Sequence, residues 1–287
     1  MKLAVTAASG QLGGAIARQI IADLGSDQVV ALARTPEKAA SLGVETRPGD
    51  YGDRAALEAS LAGVDVVVLI SGNGNPEARI PLHRNVIAAA KAAGVRKLVY
   101  TSVLGSEEGS AFSPIVQSNR QTEADVRDSG LQWSIGRNGL YIEPDLEYAS
   151  TYAEQRAITN SAGDGRCAYT TRAELAVAYS AMVRDDRHDG QTYALTGQPI
   201  TQAQLAALFR EHFGMDVRYV AQSVDAYREE RTAALGSFMG TVVSGIYEGI
   251  RAGAFDTPSQ FEAAAGRSHA SWDEVFAKAA RAQRDGR

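Results

Sequence analysis

Along the first half of the chain, short runs of apolar, β-branched residues alternate with longer alanine-rich stretches whose apolar positions recur at helical spacing. The runs at 2–6, 28–33, 44–47, 64–70, 96–101 and 131–136 predict strands, and the stretches between them predict the helices of βαβ units. VDVVVLI, at 64–70, is almost wholly apolar, as befits a central parallel strand covered on both faces. The expected class is therefore α/β, with a doubly wound parallel sheet. Thr35 before Pro36 reads as a capping hydroxyl ahead of a helix start, and Gly94 reads as the C-terminal stop of VIAAAKAAGV.

After about residue 145 this rhythm weakens, so residues 1–145 are expected to form the main domain and 146–287 the last strands interleaved with a small, mainly helical lobe. AGDGRCAYTTRAELAVAYSAMV reads as turn, short strand and helix, and GQTYALTG as another strand. Thr201 with Gln204, and Ser271 with Glu274, have capping-box spacing and mark two helix starts. The segment GSFMGTVVSGIYEGI at 236–250 falls short of the ~20 apolar residues a membrane span needs. Broken by glycines and Glu248, it predicts a lid, a pocket wall or a subunit contact.

Composition narrows the function. A chain of 287 residues, 45% hydrophobic, can bury one large core with an appended lobe. A net charge of -5 without a Lys/Arg cluster offers no footprint for nucleic acid or an anionic membrane, leaving a small molecule as the expected partner. Cys167 is the only cysteine, and no Cys/His cluster has metal-ligand spacing, so neither a disulfide nor a metal is expected and a reducing cytoplasm suits the chain. There is no Gly-x-Ser-x-Gly elbow to anchor hydrolase chemistry. Arg166 beside Cys167 would lower a thiol pKa, against an inert thiol near a turn. Of the scattered histidines, His83 is the one placed to reach a central cleft, against a packing or capping role, while His212 reads as a helix-surface residue.

The chemistry begins at VTAASGQLGG, residues 5–14. A strand, a glycine turn and a helix in that order form an anion site, because unpaired N–H groups at the helix start face a phosphate and the dipole favours negative charge. Gly10 lets the backbone approach a pyrophosphate, Gly13 lets the helix approach the strand, and Ser9 adds a hydroxyl. Ala7 stands at the tight-turn position, where alanine fits if φ is negative and is strained if φ is positive. At the end of the second strand, VVALARTPEKA puts Arg34 where an NAD-binding chain would carry an acid, with Lys38 one turn on. That choice favours NADP(H), whose 2'-phosphate asks for a cation.

With GQLGGAIARQI, ARTPEKA, GDYGDRAAL, HRNVIAAAKAAGVRKLVYTS, SGLQWSIGRNGLY, AGDGR with TTRAELA, and GRSHASW, the chain resembles the NmrA-like branch of atypical short-chain dehydrogenases/reductases, most closely its bacterial NADPH-dependent quinone oxidoreductases. The resemblance runs along almost the whole chain and implies a Rossmann-type domain binding NADPH, a C-terminal substrate lobe and a cleft between them. It implies that Ser9, Gly10, Gln11 and Leu12, with Ala7, hold the pyrophosphate, and that Arg34 and Lys38 hold the 2'-phosphate. Asp50 and Tyr51 fall at the adenine region, and Ser71, Gly72 and Asn73 near the cofactor ribose. Asn138 to Ile142, including Tyr141, would border nicotinamide and substrate, with Thr101 and Ser102 either lining the cleft or structural.

The Tyr-x-x-x-Lys pair of short-chain dehydrogenases is missing. Asn119 falls where double-bond reductases of this branch use lysine and the quinone reductases histidine, and it cannot donate a titratable proton. The candidate catalytic set is Tyr141, Asn138 and Asn119. Quinone reduction tolerates the loss, since charge spreads over a conjugated oxygen and water or Tyr141 can finish protonation. Tyr141 is equally readable as a pocket wall, and Tyr227, Phe238, Met239 and Tyr247 as a pocket lining or as lobe core. Three functions stand open: a reductase of quinones or conjugated carbonyls, a non-catalytic NADP(H) sensor, and a reductase of a specialised metabolite. The expected substrate is a quinone, with a homodimer as an open assembly.

Overall fold

The computed structural model describes residues 1–72 and 74–285. Its main sheet takes β1 (Leu3–Val5), β2 (Val29–Ala33), β3 (Glu45–Pro48), β4 (Val66–Ile70), β5 (Lys97–Val103) and β6 (Gln132–Asn138) from the first half. Two-residue or four-residue strands follow as β7 (Leu140–Tyr141), β8 (Ala157–Asn160), β9 (Arg166–Cys167) and β10 (Tyr169–Thr170). Then β11 (Gln191–Leu195) rejoins the main sheet, and β12 (Ile200–Thr201) and β13 (Arg218–Ala221) pair with β9 and β8.

The seven main strands run parallel in the order β11-β6-β5-β4-β1-β2-β3. The apolar run at 64–70 is the middle strand, as its two-sided burial requires. Strand order reverses between β1 and β4. A doubly wound sheet opens its ligand crevice at such a switch point, beyond the carboxyl ends of the strands.

Helices α1 (Gln11–Leu24), α2 (Arg54–Ser60), α3 (Pro76–Ala92) and α4 (Ser113–Arg127) cover the sheet, joined by α7 (Arg172–Arg184), which follows the short α5 (Glu143–Glu147) and α6 (Ala149–Gln155). Ile16 and Ile20 of α1 and Leu175 and Met182 of α7 bury one face against Leu3, Val5 and Val68, while Leu57, Val86 and Val126 of α2, α3 and α4 bury the other against Leu32, Val67 and Leu98. Each face therefore buries its apolar side chains against helices, the main stabilising term of such a layered fold.

The second lobe packs α8 (Gln202–Phe213), the α9 (Val224–Leu235) and α10 (Ser237–Arg251) hairpin and α12 (Trp272–Asp285), while α11 (Phe261–Ala265) lies against α7 and β11 with Phe261 in the core of the main sheet. Its separate core joins Ile158, Tyr169, Phe209, Phe255, Trp272 and Phe276. Both predicted capping boxes form: the Gln204 amide bonds Thr201 Oγ1 at 3.2 Å, and that of Glu274 bonds Ser271 Oγ at 3.3 Å, with the reverse bonds at 2.8 Å. Thr35 departs from expectation, because Pro36–Leu42 winds as a 3-10 helix and the Thr35 hydroxyl caps nothing. Residues 237–250 lie on α10, capped by Gly236; Phe238 and Met239 there are exposed rather than core, while Tyr227 of α9 is buried and Tyr247 packs on the lobe core. Among the described residues no helix is long and apolar enough to cross a membrane.

Candidate active site

At the carboxyl end of β1 the chain turns through Ala7, which takes φ 48°. The conditional question about alanine is thus decided for the strained branch: a Cβ in this left-handed region crowds its own carbonyl. The reward is geometric. The Gly10 amide donates to the Ala7 carbonyl at 2.9 Å, and the Ala8 amide donates to Leu32 O of β2 at 3.0 Å, fixing the turn against the sheet. A Cβ on Gly13 would overlap the Ala7 carbonyl, so only glycine lets α1 start this close to β1. No side chain caps α1 and its first turn has no acid, leaving its dipole end open to an anion. Ser9, Gly10 and Gln11 are exposed there, while Leu12 is buried.

Arg34 follows β2 directly and is exposed, as is Lys38 on the next turn. Neither forms an ion pair among the described residues, so both are available to a 2'-phosphate. Asp50 is exposed and uses Oδ1 to accept from the Gly52 amide at 2.9 Å. The Tyr51 hydroxyl turns inward, donating to Ile70 O at 2.8 Å and meeting Thr6 Oγ1 at 2.5 Å. Its phenol is therefore a clamp between β1 and β4, and burial raises its pKa further.

Across the switch point, Ser71 and Gly72 leave the end of β4. The Ser71 amide donates to Thr101 Oγ1 at 2.9 Å, and the Gly72 amide to His83 Nε2 at 2.9 Å. Thr122 donates its hydroxyl proton to Ser118 O at 3.0 Å, so it receives from His83 Nδ1 at 2.9 Å, which sets the tautomer. Burial, with the Arg79 charge second, pushes the His83 pKa down to about 3. His83 is a neutral brace for the loop at the cleft. Asn73 lies outside the described residues.

Asn119 is 2% exposed and heavily committed. Its Oδ1 accepts from the Tyr100 hydroxyl at 2.8 Å and from Ser71 Oγ at 3.0 Å, while Nδ2 donates to Ile115 O at 2.8 Å. It anchors α4 to the strand ends and has no titratable proton to give. Ser102 likewise serves structure, donating to buried Glu123 at 2.7 Å. Burial alone would raise the Glu123 pKa, but the hydrogen bond from Arg137 and the charge of Arg120 outweigh it and hold the carboxyl below its usual range.

On the lobe side, β7 pairs with β10 and brings Tyr141 beside Thr170. Asn138 Oδ1 accepts from the Tyr179 hydroxyl at 2.6 Å. Burial raises the Tyr141 pKa, while a hydrogen bond with Asn138 and the charge of Arg172 act against it. The Arg172 guanidinium lies 5.1 Å from the Tyr141 ring centre. Ile142 is fully buried, so it forms the wall behind Tyr141, and its amide donates to Thr170 O at 3.0 Å. Cys167 is buried with its pKa raised by desolvation, which leaves an inert thiol.

Three features escaped sequence reasoning. Arg79, on the first turns of α3, is buried and reaches back to Ser71 Oγ at 2.5 Å. Asp145 is buried with the Tyr152 hydroxyl donating to it at 2.8 Å, and desolvation raises its pKa to about 6. Glu211, His212 and Asp273 converge within 4.8 Å where α8 meets α12, although their spacing gave no metal signal. None of the three carries a local sequence signal, since burial and convergence of distant segments decide each of them.

A family model described as NAD(P)H-binding matches residues 7–186, which contain every cofactor candidate named above. The chain belongs to this NAD(P)H-binding family, in its NmrA-like reductase branch. Quinone oxidoreductase 2 of Escherichia coli (strain K12) is 39% identical over 223 residues, 76% of each chain. The crystal structure of an NADPH-dependent quinone oxidoreductase from Escherichia coli, complexed with NADPH, superposes with TM-score 0.89 at 33% identity, covering 96% of this chain and 99% of that one. Triphenylmethane reductase of Citrobacter sp., complexed with NADP(H), gives TM-score 0.89 at 30% identity over 97% of this chain and 100% of that one. The cofactor is accordingly NADP(H).

Proposed function

We propose that this chain is an NADPH-dependent oxidoreductase that transfers hydride to a quinone or a related conjugated carbonyl. The open N-terminus of α1, with Ser9 to Leu12, takes the pyrophosphate beside the Ala7 turn. Arg34 and Lys38 take the 2'-phosphate, Asp50 and Tyr51 border the adenine, and Ser71 and Gly72 the ribose. When bound, NADPH supplies the hydride.

The observation that carries the choice of acceptor is the character of the inner polar groups. Asn119, Thr101 and Ser71 are spent on one another and on the backbone, and Tyr141 has a raised pKa. A simple ketone would develop a localised alkoxide and need a stronger acid. A quinone spreads its charge over a conjugated oxygen, so orientation and one weak donor suffice. Tyr141, its ring held against the Arg172 guanidinium, is that donor, and Asn119 acts by holding Ser71. The relatives are named as reductases and oxidoreductases, a quinone oxidoreductase and a triphenylmethane reductase among them, which supports an enzyme over a sensor. The proposal keeps the cytoplasm as the compartment and a homodimer as the assembly, read by fractionation and analytical ultracentrifugation. Loss of NADPH absorbance with a panel of small quinones tests the activity; tight NADPH binding without turnover would sink it.

A further inference from the structure

Arg79 is 5% exposed, and no carboxylate among the described residues pairs with it. Its Nη2 donates to Ser71 Oγ at 2.5 Å, and its Nε is buried without a hydrogen-bond partner. The side chains around it are Ser71, the Tyr100 hydroxyl and the neutral His83 imidazole. A guanidinium does not shed its proton in a protein, so this is a permanent charge held out of water. Buried charges are ordinarily paired, because desolvation without a partner is strongly unfavourable. This one stands instead at the switch point, one hydrogen bond from the loop that leaves β4 and two from Asn119.

We propose that Arg79 is a fixed positive charge on the β4 side of the switch point, behind the loop assigned to the cofactor ribose and close enough to the nicotinamide ring to favour NADPH over NADP+. The inference rests on the cofactor placement proposed above. The reduced nicotinamide ring is neutral and the oxidised ring carries a positive charge, so a buried cation nearby repels one form and spares the other. Low dielectric around the group strengthens that discrimination. The consequence is release of the oxidised cofactor in exchange for the reduced one, with bound NADPH a weaker hydride donor than free NADPH by the same ratio.

The test is equilibrium binding of NADPH and of NADP+, each titrated alone into the full chain without acceptor. Wild-type protein is expected to bind NADPH about tenfold or more tighter than NADP+, the scale of one unit charge acting at close range in a partly screened site. Arg79→Gln keeps a donor for Ser71 and removes the charge, so the two affinities should converge; Arg79→Lys keeps the charge and should keep the ratio. Thermal unfolding of each variant separates this from a folding defect. Equal affinities in wild type, or an unchanged ratio in Arg79→Gln, overturn the inference even if NADPH binds tightly and quinones turn over. If Arg79→Gln fails to fold, the wild-type ratio decides alone. Failure of wild type to bind either nucleotide overturns the proposed function and this inference with it, and is distinguished by that outcome.

Discussion

The Gly10 amide donates to the carbonyl oxygen of Ala7 at 2.9 Å, and it can do so because Ala7 holds φ at 48°. The same carbonyl faces Gly13. Ala7→Gly should therefore stabilise the fold or tighten NADPH binding by up to about 1 kcal/mol, less the added entropy of the unfolded chain. Gly13→Ala should do the reverse by roughly 1–3 kcal/mol, since its methyl would overlap backbone that cannot yield. Denaturant midpoints and NADPH titrations check both; a neutral Gly13→Ala would mean that α1 can back away from β1.

Arg34 is the exposed cation nearest the end of β2. Arg34→Ala should weaken NADPH binding by about 1.5–3 kcal/mol, the range for hydrogen bonds to charged groups, and leave NADH nearly unchanged. The comparison of the two affinities is the measurement. An unchanged preference assigns the 2'-phosphate elsewhere.

Two buried groups pull stability in opposite directions with pH. The His83 pKa lies at about 3 against an ordinary 6.5, so its contribution is complete above 6.5 and is lost as pH falls toward 3. The Asp145 pKa lies at about 6 against 3.8, so its contribution is complete below 3.8 and is lost as pH rises through 6. Between 3.8 and 6 the two slopes oppose. Asp145→Asn removes one of them, so the variant should gain on wild type by about 1.4 kcal/mol per pH unit across that window. Urea unfolding at several pH values reads the difference, and parallel curves would refute it.

Tyr141 is assigned the proton delivery, at its hydroxyl. Tyr141→Phe should lower kcat for quinones about tenfold, below the usual general-acid effect because water can substitute, and leave NADPH affinity unchanged. Steady-state rates with a solvent isotope comparison test it. Unchanged kcat would return Tyr141 to the pocket wall that its contact with Arg172 also allows.

The alternation of apolar runs and amphipathic stretches determined much of this protein without a structure. Side-chain periodicity and β-branched runs respond to local burial, so the sheet strands of the first half, the central place of 64–70 and both capping boxes were legible. The strand-turn-helix order around Gly10 and the place of Arg34 at the end of β2 were legible for the same reason, because each is expressed within a few residues. What stayed hidden depends on contacts between distant segments. Thr35 was misread because a capping hydroxyl before proline also fits a 3-10 turn. The sign of φ at Ala7 is imposed by β2 and α1 together, through Leu32 and Gly13. That Asn119 is spent on Tyr100 and Ser71, that His83 braces Gly72, and that Arg79 lies buried without a carboxylate were decided only when α3 and α4 packed side by side over the ends of β4 and β5. Local pattern sets the elements and the cofactor turn; the protonation and hydrogen-bond commitments of the inner site come from packing, because desolvation and partner geometry exist only once the layers meet.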